Sequence, residues 1–222
     1  MSKKQFLEKI KEMPREILYL VLIADIYLVG MVLHAFSVTL PYMLLFTPVI
    51  LLLFGLLALY PAWLEGNRRL LIWILVTYAI TLFLEIVGVK TGIVFGSYHY
   101  GPVLGLKVGE VPLVIGFNWV IVVLGFVRLS ERITDSAVIG GLLTGALCVA
   151  YDYVLEPVAI GLDYWQWHGP VIPLQNYIAW FLIATAAAWV YRFMHIRMQS
   201  NLPTYYVGIQ FLFFIGLQLF AL

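Results

Sequence analysis

The sequence predicts an all-α, polytopic membrane protein: a bundle of seven transmembrane helices with structured outer loops and a cytoplasmic N-terminus. Three observations carry this. Of the 222 residues, 63% are hydrophobic and only 11% are charged, against about 25% charged in a soluble domain. That much apolar surface does not fit inside one small core, so lipid must be the solvent for much of it. Seven apolar runs, roughly 17–38, 42–63, 70–89, 111–128, 136–157, 174–192 and 203–222, each approach the ~20 residues a helix needs to cross about 30 Å of hydrocarbon. They lack the alternation of a β-barrel, and helices satisfy their own backbone in lipid. The basic residues, finally, fall on one side. Lys3, Lys4, Lys9, Lys11, Arg15, Arg68, Arg69, Arg128, Arg132, Arg192 and Arg197 flank one set of gaps, and only Lys90 and Lys107 flank the other. The richer side is the cytoplasmic one, and deleting any single run from the count would spoil the alternation.

Taken in order, residues 1–16 are a basic, amphipathic segment that sets topology or lies on anionic headgroups. Residues 17–222 form a single transmembrane domain. The first run is too long for a signal-peptide core and no small-residue cleavage site follows it, so it is read as a retained span. Pro41 opens the second run, and Pro61, Gly66 and Asn67 close it. Pro112 opens the fourth run, Pro173 precedes the sixth and Pro203 opens the seventh. A net charge of +1 gives no reason to expect a nucleic-acid partner. Cys148 is the only cysteine, so no intrachain disulfide forms.

The polar residues within the runs collect toward one side. Glu85 lies near the outer end of the third run, and Asn118 and Trp119 lie about two turns into the fourth. Asp152 and Glu156 lie near the outer end of the fifth run, and Gln175, Asn176 and Trp180 near the outer start of the sixth. The two long gaps, 90–110 and 158–173, are both outer. An intramembrane carboxylate is costly and marks a functional site or a partner. Asp152 and Glu156, four apart, share a helix face. Two carboxylates that close in low dielectric do not both ionise readily, which supplies an acid and a base together. Glu156, beside Pro157, is otherwise an ionised residue at the water interface. Glu85 is a third acid or a partner for Lys90. Asp25 and His34 lie nine apart, on opposite faces of the first run. Asp25 is read as an interhelical hydrogen-bonding residue. His34 either reaches the pocket or is structural.

The outer gaps are rich in aromatic residues and glycine. Tyr98, Tyr100, Tyr164, Trp165 and Trp167 form either an interfacial belt or the wall of a pocket that stabilises a cation and suits a flat polyene. FGSYHYG reads as a short hairpin or re-entrant turn that roofs the pocket. The glycines Gly88, Gly92, Gly96, Gly101, Gly105 and Gly109 make no phosphate loop, since no strand and no GKS or GKT accompany them. The histidines His34, His99, His168 and His195 form no HExxH and no spaced pair on a run, so no metal site is expected.

Two stretches then resemble a known family. Glu85, Gly88, Thr91-Gly92, Phe95-Gly96, Tyr98, Tyr100-Gly101, Leu104-Gly105, Val111-Pro112 and Trp119 make the first. Asp152, Pro157, Trp165, Trp167, Gly169, Pro173, Asn176 and Trp180 make the second. Over about residues 80–185 the chain resembles the integral membrane carotenoid-biosynthesis proteins, of the carotenoid 1,2-hydratase and bisanhydrobacterioruberin hydratase type. Glu156 stands where that family usually has Asp, and Gly116 near a common Pro. The resemblance implies addition of water across the terminal 1,2 double bond of an acyclic carotenoid, lycopene-like or C50, drawn from the bilayer of the cell membrane.

In that reading Asp152 is the acid, with Glu156 or Glu85 as the alternative, and the remaining carboxylate holds the water. Tyr98, Trp119, Trp165 and Trp167 shield a tertiary cation, and Asn118 or Asn176 orients water or the acid. Tyr100, Trp180 and His34 complete the substrate-binding set. No redox cofactor is needed. Partners are the carotenoid, water and membrane lipids, with other enzymes of the pathway as further candidates. A carotenoid cyclase, sharing the protonation but not the water, and a non-catalytic carotenoid or lipid carrier or transporter are the other readings of the same residues. The absence of a visible internal repeat speaks against transport.

Overall fold

The computed structural model describes residues 14–221. Most of the basic leader, residues 1–13, lies outside the described residues, as does residue 222. Among the described residues seven α-helices follow in order: α1 (Arg15–His34), α2 (Leu40–Leu64), α3 (Arg68–Thr91), α4 (Leu113–Ser130), α5 (Ala137–Gly161), α6 (Leu174–Phe193) and α7 (Leu202–Phe220). Short strands β1 (Tyr98–Tyr100), β2 (Lys107–Val108) and β3 (Val111–Pro112) lie between α3 and α4, and β4 (Trp165–Trp167) lies between α5 and α6. This is an all-α polytopic membrane protein. Six of the helices have the length and mean hydropathy of a membrane span. The other is α6, the sixth span of the expected bundle, in which Gln175, Asn176, Tyr177, Trp180, Trp189, Tyr191 and Arg192 dilute the apolar residues.

Local chemistry explains where the helices begin and end, and it moves several expected boundaries. The Asn67 side chain accepts from the backbone N–H groups of Arg69 and Leu70, so it is the N-cap of α3. Ser136 caps α5 in the same way, through the N–H of Ile139. Pro61 does not end the second helix, which continues to Leu64 before Gly66 turns the chain at φ 60°. Nor does Pro157 end α5, which runs one more turn to Gly161. The ring is exposed, and the Gln218 side chain of α7 donates to the Val154 carbonyl in the turn before it. Neighbouring helices accommodate intramembrane prolines in this manner.

Packing ranks the helices. In α4, 61% of the most apolar window is buried, against 17% in α1 and 11% in α2. Helix α4 touches α2, α3, α5, α6 and α7 and is the axis of the bundle. Large apolar side chains such as Val21, Leu28, Leu45 and Leu53 point outward from α1 and α2, as lipid-facing residues do. Helices α5 and α6 approach closely because Gly141 and Gly145 have no side chain. A Cβ there would come within 2.1 Å of Trp189 and 2.2 Å of the Thr185 hydroxyl, the small-xxx-small solution to helix packing in lipid. Asp25, expected between helices, is instead on the exposed face of α1.

Alternation of seven helices puts the loops 65–67, 131–136 and 194–201 at one end and 35–39, 92–112 and 162–173 at the other. Side chains tie each set together. At the first end Arg69 donates to the Met194 carbonyl, Asn67 to that of Arg197 and Arg192 to that of Thr134, while the Glu65 carboxylate accepts from the N–H groups of Gln199 and Ser200.

Candidate functional site

At the other end the two long loops are joined to each other. Strands β1 and β4 pair antiparallel, with Tyr98 opposite Trp167, His99 opposite Gln166 and Tyr100 opposite Trp165. The expected hairpin within FGSYHYG is therefore a ribbon made from two loops. Bonds from the N–H of Gly101 to Tyr164 O (2.9 Å) and from the N–H of His168 to Ser97 O (3.0 Å) extend it at each end. The contact is tight enough to require glycine at 101, where a Cβ would lie 2.0 Å from the Asp163 carbonyl oxygen.

Strand side chains alternate between faces, and here the alternation sorts chemistry. Tyr98 and Tyr100 are buried and face inward, whereas His99 is exposed. Outside, His99 stacks on His168, whose other ring nitrogen meets the Ser97 hydroxyl. Neither histidine shares the inner face with the carboxylates.

Under the ribbon lies a pocket formed by α3, α4, α5 and α6. Glu85, Asp152, Glu156, Asn118, Trp119, Asn176 and Trp180 line it from the helices, and Tyr98, Tyr100, Trp165 and Trp167 line it from the roof. These are all the residues assigned from the sequence to the catalytic and substrate-binding set except His34, which lines an adjoining apolar chamber, as does Tyr164, expected in the aromatic wall. Phe95, Ile115 and Leu155 also line the pocket and were not anticipated as site residues. Helical spacing carries a signal for two of them, since Ile115 precedes Asn118 by three and Leu155 follows Asp152 by three. Gln175 is exposed and instead ties α6 to the carbonyls of Gly92 and Ile93.

The three carboxylates are buried, Glu85 at 4%, Asp152 at 0% and Glu156 at 1% exposure, yet each is held differently. One Glu85 oxygen accepts from Tyr98 (2.5 Å) and Tyr100 (2.8 Å), and the other accepts from the Trp119 indole (2.8 Å). Glu85 has no contact with Lys90 in this set. Burial, and then the nearby Glu85 charge, push both phenols well above their ordinary value, so they remain donors. Glu156 accepts the indoles of Trp165 (3.1 Å) and Trp167 (2.8 Å) on one oxygen and the Asn176 amide (3.3 Å) on the other. The same amide donates to Asp152 Oδ2 at 2.6 Å, so Asn176 bridges the two acids of α5. Asp152 Oδ1 is buried with no hydrogen-bond partner among the described residues.

Aromatic faces complete the walls. Trp119 and Trp180 stack with centroids 3.8 Å apart, and Tyr98 lies 5.1 Å from Trp167. Helix α3 admits this crowding beside Glu85 because residue 88 is glycine, where a Cβ would come within 2.7 Å of the Phe95 ring. The result is a buried, acid-bearing, aromatic pocket in which the acids accept from neutral phenol, indole and amide donors.

Comparisons with known proteins identify relatives of the chain. The bisanhydrobacterioruberin hydratase of Haloarcula japonica is 32% identical over 127 residues, covering 52% of this chain and 43% of that protein. The matched region thus spans less than half of the relative's length. No solved structure matches the chain. The family model described as carotenoid biosynthesis protein matches residues 42–222, a range that includes every wall of the pocket, and the chain belongs to that family.

Proposed function

We propose that this chain is a carotenoid hydratase that adds water across the terminal 1,2 double bond of an acyclic carotenoid, lycopene-like or C50. The observation that carries the reading is the contrast among the three acids. Glu85 and Glu156 have both oxygens engaged by donors, while Asp152 has one buried oxygen without a partner on the pocket. A carboxylic acid with a free, dry oxygen is the group placed to protonate an alkene.

The steps follow from the contacts. Asp152 gives its proton to the less substituted carbon of the trisubstituted double bond, and the π electrons form the new C–H bond. The positive charge rests on the tertiary carbon, against the faces of Trp119, Trp180 and Trp167, which attract a cation. Glu85, held by three donors, is the fixed negative charge of the site. Water held at Glu156 adds to the cation, and its surplus proton passes to Glu156. Return of that proton to Asp152, across the carboxylates that Asn176 bridges, restores the start. One water is added per reacting end, and the carotenoid is neither oxidised nor reduced.

The basic-residue asymmetry supports placing the loop end 65–67, 131–136 and 194–201 in the cytoplasm and the pocket at the outer side of the cell membrane. The carotenoid arrives from the bilayer. Expression in cells that accumulate lycopene, followed by mass analysis of the pigments, tests the reading. Gain of one water per reacting end is expected. Products of unchanged mass but altered absorption would identify a cyclase, and unaltered pigment a carrier. Retention of full hydration by both Asp152→Asn and Glu156→Gln would overturn the assignment of the acids.

A further inference from the structure

Beside the acid pocket lies a second, almost wholly apolar chamber between α1, α2, α4 and α7. It shares Ile115, Asn118, Leu155 and Trp165 with the acid pocket, so the two have a common wall. His34, in the last turn of α1, stands on the far wall. It is 7% exposed. Its Nδ1 is 2.7 Å from the Gly30 carbonyl. A carbonyl only accepts, so Nδ1 carries the hydrogen, and in the neutral ring Nε2 is an acceptor. That Nε2 is buried with no hydrogen-bond partner among the described residues. Phe213 packs edge-on to the ring at 5.6 Å and limits its rotation.

Two other polar side chains lining the chamber, Thr47 and Tyr27, are engaged elsewhere. The Thr47 hydroxyl donates to the Met43 carbonyl. Tyr27 pairs with Tyr206 at 2.9 Å and accepts from Gln210. A buried acceptor without a donor costs about 1–3 kcal/mol, and among the described residues no side chain of the chamber donates to His34 Nε2. The cost is removed by a molecule that brings an O–H to this point while its remainder is apolar.

We propose that the His34 chamber is a specificity subsite that accepts a hydroxyl group carried by the isoprenoid substrate at a position away from the reacting double bond. This rests on the hydratase reading for the reacting end, and adds that the preferred substrate already bears a hydroxyl. An earlier reaction of the hydroxyl-forming class, hydration or hydroxylation, must then supply it. Hydrogen-bonding pockets discriminate strongly against analogues that lack the bonding group, because the site's own polar atom is left unpaired.

The test uses the full chain purified in detergent, with two probes: an acyclic carotene hydrocarbon and the same carotene carrying one tertiary hydroxyl. Binding is read by quenching of tryptophan emission, to which Trp165 on the shared wall contributes, and turnover is read separately by product mass. The wild type is expected to bind the hydroxylated probe about tenfold more tightly, the worth of one added hydrogen bond. His34→Phe should abolish that ratio, and His34→Gln, which keeps an acceptor, should retain part of it. Equal binding of the two probes by the wild type, or an unchanged ratio in His34→Phe, overturns the subsite. Since binding and turnover are read separately, a preference seen with no gain of water would sink the hydratase reading and leave the subsite standing.

Discussion

The two ends of the bundle hold their charged side chains by opposite means. At the end with loops 65–67, 131–136 and 194–201, Glu131 pairs with Arg128 and lies 3.9 Å from Arg192, and arginine side chains tie loop to loop through carbonyl oxygens. At the other end, three buried acids meet only neutral phenol, indole and amide donors. Neither Lys90 nor Lys107 reaches them, and Lys107 instead donates to the Tyr100 carbonyl. An arginine beside an acid would hold it as a carboxylate and give up proton-transfer chemistry. Neutral donors fix the geometry of an acid without cancelling its charge. The first end is therefore braced by cations, and the second holds its acids without one.

Variants that break this contrast should have graded effects. Asp152→Asn, which removes the one acid with an unengaged oxygen, should lower hydration by about 10³-fold, read as product mass per unit of folded protein. Glu85→Gln turns an acceptor of three hydrogen bonds into a group with its own donors. A fall in turnover of about 10²-fold and a loss of about 2 kcal/mol in stability are expected, the latter measured by thermal unfolding in detergent. Gly101→Val pushes β1 away from Asp163 and takes the Trp165 and Trp167 indoles off Glu156. It should cost about tenfold in activity, with increased cleavage of the 92–112 loop by added protease. At the opposite end, Glu131→Gln should lower stability by only about 1 kcal/mol. That loss should shrink as salt is raised, and hydration per folded molecule should not change.

The same contrast marks what could be read from the sequence. The helices were legible because a lipid-facing span must be apolar along its whole length, and the acids stood out because, Asp25 apart, the middles of the spans carry no other charge. Their convergence followed from alternation of the spans. The partners were not legible. No local pattern says that Tyr98 and Tyr100 serve Glu85 while Trp165 and Trp167 serve Glu156, because that division arises only when loops more than sixty residues apart pair as a ribbon. The fifth run was expected to end at residue 157, whereas α5 passes through Pro157 and continues to Gly161, as intramembrane helices can. Asp25 was assigned a partner that its exposed position does not supply, since sequence spacing alone does not tell which face of α1 meets the bundle.

The stitching of the two loops also bears on traffic. Gly101 lies against Asp163 with no room for even a methyl group, and Tyr98, Tyr100, Trp165 and Trp167 each anchor the ribbon to a helix from below. On the proposed reading, a long stiff polyene does not pass such a cover from the aqueous side and slides in sideways from the hydrocarbon, while small water molecules percolate through. The two reactants would then arrive by separate doors, and the supply of each could be throttled without touching the other.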